Sequence, residues 1–153
     1  MVQEGSPDWI KPAGTLGMHG EVSLTPKDAG WTYAGLRVVA LKPGQPRTVH
    51  LEGCEGAVIP LSATDITVAV GDDSFHVTGR AGVFARVTDW VYAPVGSAVK
   101  LTCSSGGEVA IATAVADEAH PAAYVSAQDT PVEVRGAGPA TRQVNVIAGP
   151  DNF

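Results

Sequence analysis

Charged side chains are scarce in this sequence: Asp, Glu, Lys and Arg together make up 17% of its 153 residues. Surface helices are normally clothed in Lys and Glu, so the scarcity argues against an all-helical fold. Basic runs are absent, and 10 Lys and Arg stand against 16 Asp and Glu, a formal net charge of -6 with a pI near 5.0. Nucleic acid would be repelled by that overall field, so no phosphate-binding footprint is expected. No stretch approaches the roughly 20 apolar residues of a membrane helix. The start, Met1-Val2-Gln3-Glu4-Gly5, lacks the positive and apolar regions of a secretory signal. A soluble, cytoplasmic protein is expected, with no membrane partner. Only two cysteines occur, Cys54 and Cys103, and in a reducing compartment the expectation is two free, partly buried thiols.

What is abundant is core material and turns. Apolar residues make up 44%, and a chain of this length buries roughly 70% of its unfolded surface as one domain. The 18 Gly and 11 Pro are spread along the whole chain, which implies many turns between short elements. The alternation predicts strands at 36–41, 47–51, 56–61, 65–70, 73–78, 89–94, 97–103 and 107–116, with further extended runs at 122–127, 132–135 and 141–147. Asp72-Asp73 and Ser104-Ser105-Gly106-Gly107 read as hairpin turns. The fold class is therefore all-β: an antiparallel meander closing as a barrel or sandwich.

Glu108 to His120 is the longest run without Gly or Pro and the one serious helix candidate. Val109, Ile111, Thr113 and Val115 fall on one side and Ala110, Ala112, Ala114 and Ala116 on the other, a period of two that favours a strand. The small Ala side suggests close packing by a second sheet. Residues 1–30 read as an irregular arm anchored by Trp9 and Trp31, 31–147 as the β domain, and 148–153 as a linker towards a second domain.

Four histidines are present, and none forms a His-x-His or His-x3-His pair. A protein-built metal site is therefore not supported. The nearest approach is His50, Glu52 and Glu55, where His50 and Glu52 alternate onto one side of a strand and could point into a barrel. Arg80 and Arg86 flank Gly82-Val83-Phe84 and could hold a carboxylate by bidentate hydrogen bonds. The plainer alternative is an exposed loop arginine paired with Asp89. No nucleophile elbow, P-loop or dinucleotide fingerprint is present.

Gly44-Gln45-Pro46-Arg47-Thr48-Val49-His50-Leu51-Glu52 resembles the first cupin metal motif, with Glu52 in place of its second histidine. Pro94-Val95-Gly96-Ser97-Ala98-Val99 resembles the second motif, with Val99 where its histidine belongs. Together they suggest a degenerate, jelly-roll-type cupin barrel that has lost its metal.

A longer pattern joins Gly30-Trp31-Thr32-Tyr33-Ala34-Gly35-Leu36, Gly79-Arg80-Ala81-Gly82-Val83-Phe84, Val87-Thr88-Asp89-Trp90-Val91-Tyr92-Ala93-Pro94, Val132-Glu133-Val134-Arg135-Gly136-Ala137-Gly138 and Arg142-Gln143-Val144. In this order they resemble the first half of the 5-deoxy-glucuronate isomerase family of myo-inositol catabolism, which is related to 5-keto-4-deoxyuronate isomerase. The resemblance implies a bicupin whose second barrel, beyond Phe153, holds a divalent metal and catalyses aldose–ketose isomerisation of 5-deoxy-glucuronate to 5-dehydro-2-deoxy-gluconate. It implies no catalytic residue and no cofactor in this chain. The implied partners are that C-terminal cupin domain and a small sugar acid, with homo-oligomerisation left open.

Two other readings stay open. One is a stand-alone, non-enzymatic cupin-like module for sugar-acid binding or dimerisation. The other is an independently active isomerase that uses His50, Glu52, Glu55 and His76.

Overall fold

Alternation of buried and exposed residues builds the strands one by one. In Thr64–Val70, Ile66, Val68 and Val70 are buried while Asp65 and Thr67 are exposed, as a strand with one face on a core requires. The computed structural model describes residues 12, 14–17 and 21–149. Its strands are β1 (Val22–Leu24), β2 (Ala34–Leu41), β3 (Arg47–His50), β4 (Cys54–Pro60), β5 (Thr64–Val70), β6 (Asp73–Gly79), β7 (Trp90–Ala93), β8 (Ala98–Cys103), β9 (Gly107–Val115), β10 (Ala123–Val125), β11 (Val132–Arg135) and β12 (Arg142–Asn145). A one-turn helix, α1 (Pro26–Ala29), and a 3-10 turn at Gly138–Ala140 complete the described elements.

Two sheets face each other, one ordered β1-β2-β9-β4-β7-β10 and the other β3-β8-β5-β6. Every pairing is antiparallel. The eight strands β2 to β9 thus form the interleaved orders 2-9-4-7 and 3-8-5-6, two nested Greek keys. This is a jelly roll, the architecture of a cupin-like fold. β1 and β10 extend the first sheet at its two edges.

A meander is not what forms. Among β2 to β9 only β5 and β6 pair with their sequence neighbour, around a turn at Gly71 and Asp72 that leaves Val70 opposite Asp73. The expected turn at 72–73 is therefore displaced by one residue. Ser104 to Gly107 makes no hairpin, because it carries the chain from β8 in one sheet to β9 in the other. Alternation tells which face of a strand is buried but not which strand lies beside it, so meander and jelly roll read alike in sequence.

The sandwich interior is filled from both sheets. Val39, Val58, Val91, Val109 and Ile111 meet Val49, Ile66, Val68, Val99 and Leu101, all almost wholly buried. On β9 the second sheet packs against Val109 and Ile111, and not against the alanines. Ala110, Ala112 and Ala114 face outward, because the bulkier β-branched side fills the interior better.

The arm is regular from residue 22. β1 pairs with β2, and Thr25 and Asp28 form a capping box on α1: the Asp28 amide donates to Thr25 Oγ1 at 3.2 Å and the Thr25 amide to Asp28 Oδ2 at 3.1 Å. Trp31 is exposed, so it does not anchor the arm. Trp9 lies outside the described residues, as does most of the expected linker at 148–153. Cys54 and Cys103 are free thiols.

Two glycines at positive φ separate strain from crowding. Gly71 (φ 60°) has open space where a Cβ would stand, whereas at Gly79 (φ 66°) a Cβ would collide with the Ala63 carbonyl. Gly71→Ala is expected to cost about 1 kcal/mol, the price of a left-handed backbone. Gly79→Ala adds a backbone clash and should cost about 2–4 kcal/mol. Urea denaturation of both variants checks the ordering.

Candidate functional site

A jelly roll can hold a ligand inside, but this interior consists of aliphatic side chains and the Cys103 thiol. Val99, at the position where the second cupin motif has its histidine, points into the core and stands opposite Val49 on β3. The concave sites lie outside. One cavity of about 370 Å³ opens between β2 and β3, with Arg37, Arg47, His50, Glu21 and Glu52 in its wall. A second, a groove of about 350 Å³, lies on the outer face of the six-stranded sheet and is lined by Glu55, Ala57, Ile59, Tyr92, Ala112 and Ile147.

His50, Glu52 and Glu55 do not converge. Val49 and Leu51 take the inward positions, so His50 and Glu52 turn outward into the first cavity. That departs from the expectation that they point into the barrel, and the reason is parity: a one-residue offset moves every side chain to the opposite face. Glu55 lies in the other groove, where its Oε2 accepts a 2.7 Å hydrogen bond from Tyr92. His76 is exposed on β6, 3.8 Å from Asp65. No cluster of three His, Cys, Asp or Glu able to hold a metal exists among the described residues. His50, Glu52 and Glu55 therefore do not form one donor set for a divalent metal.

Arg80 is 8% exposed and does not pair with Asp89. Its Nε donates to the Pro60 carbonyl at 2.9 Å, and its Nη1 donates to the carbonyls of Val83 and Arg86 at 3.2 and 3.3 Å. Burial lowers its pKa, yet a guanidinium stays charged. The side chain therefore braces the 81–88 loop, whose Phe84 is fully exposed. Arg86 is exposed and donates from Nε to the Val87 carbonyl at 3.1 Å. Its contact with Arg80 runs through its own backbone carbonyl.

Asp89 emerges as the buried ionic centre. Its Oδ2 accepts from the Thr78 amide at 2.8 Å and the Tyr124 hydroxyl at 2.9 Å, and its Oδ1 accepts from the Gly79 amide at 2.9 Å. Burial alone would raise its pKa, but the Gly79 and Thr78 amides and the Tyr124 hydroxyl together hold it below the usual carboxylate range. Burial, then the hydrogen bond to Asp89, raises the Tyr124 phenol. Burial, then the Glu55 hydrogen bond, pushes the Tyr92 phenol up to about 12. Sequence reasoning found Asp89 only as an arginine partner. The Tyr92–Glu55 pair, 37 residues apart, leaves no local signal.

Comparison with known proteins adds to this geometry. The KduI/IolB family model matches residues 9–153. The 5-deoxy-glucuronate isomerase of Bacillus velezensis is 32% identical over 126 residues, 81% of this chain and 46% of that protein. That of Geobacillus kaustophilus is 28% identical over 128 residues, 82% of this chain and 46% of that protein. The crystal structure of an IolB-like protein from Salmonella typhimurium LT2 superposes with a TM-score of 0.74 at 29% identity, covering 82% of this chain and 49% of that one. The chain thus spans about half the length of the curated relatives it matches. No helix among the described residues is long and apolar enough to cross a membrane.

Asp89→Asn should destabilise the protein by about 2–4 kcal/mol, because buried amides lose a charged acceptor. The sign of the pH dependence follows from the lowered native pKa. The carboxylate's contribution is fully present above the ordinary carboxylate value and is lost as pH falls through the native one. In urea titrations the stability gap between wild type and Asp89→Asn should hold from neutral pH to about pH 5 and shrink below about pH 4.

Proposed function

The chain belongs to the KduI/IolB family, and from that premise we propose that it is the N-terminal, non-catalytic barrel of a cytoplasmic 5-deoxy-glucuronate isomerase of myo-inositol catabolism. The reaction moves a proton between adjacent carbons as the aldose becomes a ketose. It asks for a base, a proton path between two oxygens and a group that polarises the carbonyl. In this reading those parts, with a divalent metal among them, sit in a second cupin barrel of the same enzyme.

The observation that carries the assignment is the Val49–Val99 pair in the aliphatic interior. Where a working cupin motif would bring a histidine inside, this barrel has two valines and no room for a sugar acid. Its strongest polar side chains, Arg80 and Asp89, are committed to backbone groups. They support a structural role and no acid–base step. The barrel's contribution is then to hold and shield the catalytic half.

A second reading, a stand-alone sugar-acid-binding module, is favoured by the cavity between β2 and β3. Arg47 there is paired with Glu21 at 3.1 Å, while Arg37, in the same wall, pairs with no carboxylate among the described residues and is available to a carboxylate ligand.

Two measurements separate these readings. The 153-residue chain should turn over no 5-deoxy-glucuronate and should carry no stoichiometric metal by elemental analysis, while a gene product about twice as long should do both. Isomerase activity in the 153-residue chain would overturn the proposal. Saturable binding of a uronate to this chain, abolished by Arg37→Ala, would establish the second reading instead.

A further inference from the structure

Two positions that the strand register turns towards the space between the sheets carry arginine. On β2, Arg37 stands directly opposite Ile111 of β9, in line with Val39 and Leu41. On β3, Arg47 stands opposite Leu101 of β8, in line with Val49. Ile111 and Leu101 are wholly buried, so the same side of each arginine's strand faces the core. Arg37 is half-buried and Arg47 exposed, and both line the cavity of about 370 Å³ at the rim where the sheets part. An aliphatic side chain at either place would extend the core, whereas a guanidinium must keep its head near water. Such a local break in an otherwise consistent pattern is where function is to be sought.

The charges of the cavity say what it would hold. Its wall carries Arg37, Arg47, Glu21 and Glu52, which sum to zero with His50 counted as neutral. Arg47 and Glu21 satisfy each other, Nη2 donating to Oε2 at 3.1 Å. Arg37 and Glu52 form no ion pair among the described residues. A purely anionic ligand would be drawn to Arg37 and repelled by Glu52 and Glu21, and a purely cationic one would meet the reverse. A molecule with one charge of each sign gains at both ends. Val39 and Val49 give the same wall an apolar stretch, and the volume is at the small end of ligand sites, which run from roughly 300 to 1,000 Å³.

We infer that the cavity between β2 and β3 binds a free amino acid, with its carboxylate on the Arg37 guanidinium, its ammonium on the Glu52 carboxylate and its carbon skeleton against Val39 and Val49. The guanidinium can donate two parallel hydrogen bonds to a carboxylate, which fixes the ligand's orientation. This goes beyond the sugar-acid reading, because it requires a cationic group that a sugar acid lacks. It is also independent of whether a second barrel follows.

The test is equilibrium dialysis of the full gene product against a mixture of the twenty amino acids, β-alanine and γ-aminobutyrate, each at about 1 mM. At least one should be retained, and its N-acetyl and amide derivatives, each lacking one charge, should bind about tenfold or more weakly. Glu52 is exposed and Glu52→Gln keeps its shape, so this variant should melt like the wild type and yet lose the retention, as should Arg37→Gln. Retention of none of these compounds overturns the inference, and so does retention unchanged in either variant. A uronate that binds at least as tightly, through Arg37 but regardless of Glu52→Gln, overturns it and establishes the sugar-acid reading. Absence of binding by amino acids and uronate alike defeats both, and the half-enzyme reading then stands or falls on its own activity and metal measurements.

Discussion

Two buried ions that do not bind each other hold the crossing from β6 to β7. Where a chain leaves one sheet for the other it loses its ladder partners, and each stripped amide or carbonyl must find a replacement. Arg80 supplies donors to the carbonyls of Pro60, Val83 and Arg86, and Asp89 supplies acceptors to the amides of Thr78 and Gly79. Tyr124 brings β10 onto the same carboxylate. The crossing, the edge strand and the exposed loop tip at Phe84 all depend on this arrangement.

The aliphatic interior has a consequence for chemistry. In a small barrel the inward positions are few, and Val, Ile and Leu occupy almost all of them. Polar side chains then collect on the outside, in a cavity where Arg37 and Arg47 meet Glu21 and Glu52, and in a groove where Tyr92 meets Glu55. The 5-deoxy-glucuronate isomerases of Bacillus velezensis and Geobacillus kaustophilus, which this chain resembles, are about twice its length.

Much of the architecture was legible residue by residue. β5, with Ile66, Val68 and Val70 alternating against Asp65 and Thr67, announces its boundaries and buried face. Val132 to Arg135 likewise reads as a strand and is one. The capping box at Thr25 and Asp28 was equally present in the sequence, but the glycine-rich surroundings hid its single helical turn. The site was less legible. His50 and Glu52 share one side of their segment, as spacing required, but spacing alone could not say that Val49 and Leu51 would take the inside.

The sequence by itself determined the β class, nearly every strand, the free thiols and the family, because these rest on local alternation, turn chemistry and residue order. Tertiary structure decided that β2 lies beside β9 and β3 beside β8, that the alanines of β9 face out, and that Arg80 and Asp89 serve the backbone separately. The physical reason is range. Periodicity is set by neighbours two residues apart, whereas a sheet partner or an ion's ligands are chosen among groups tens of residues away that meet only when the sandwich closes.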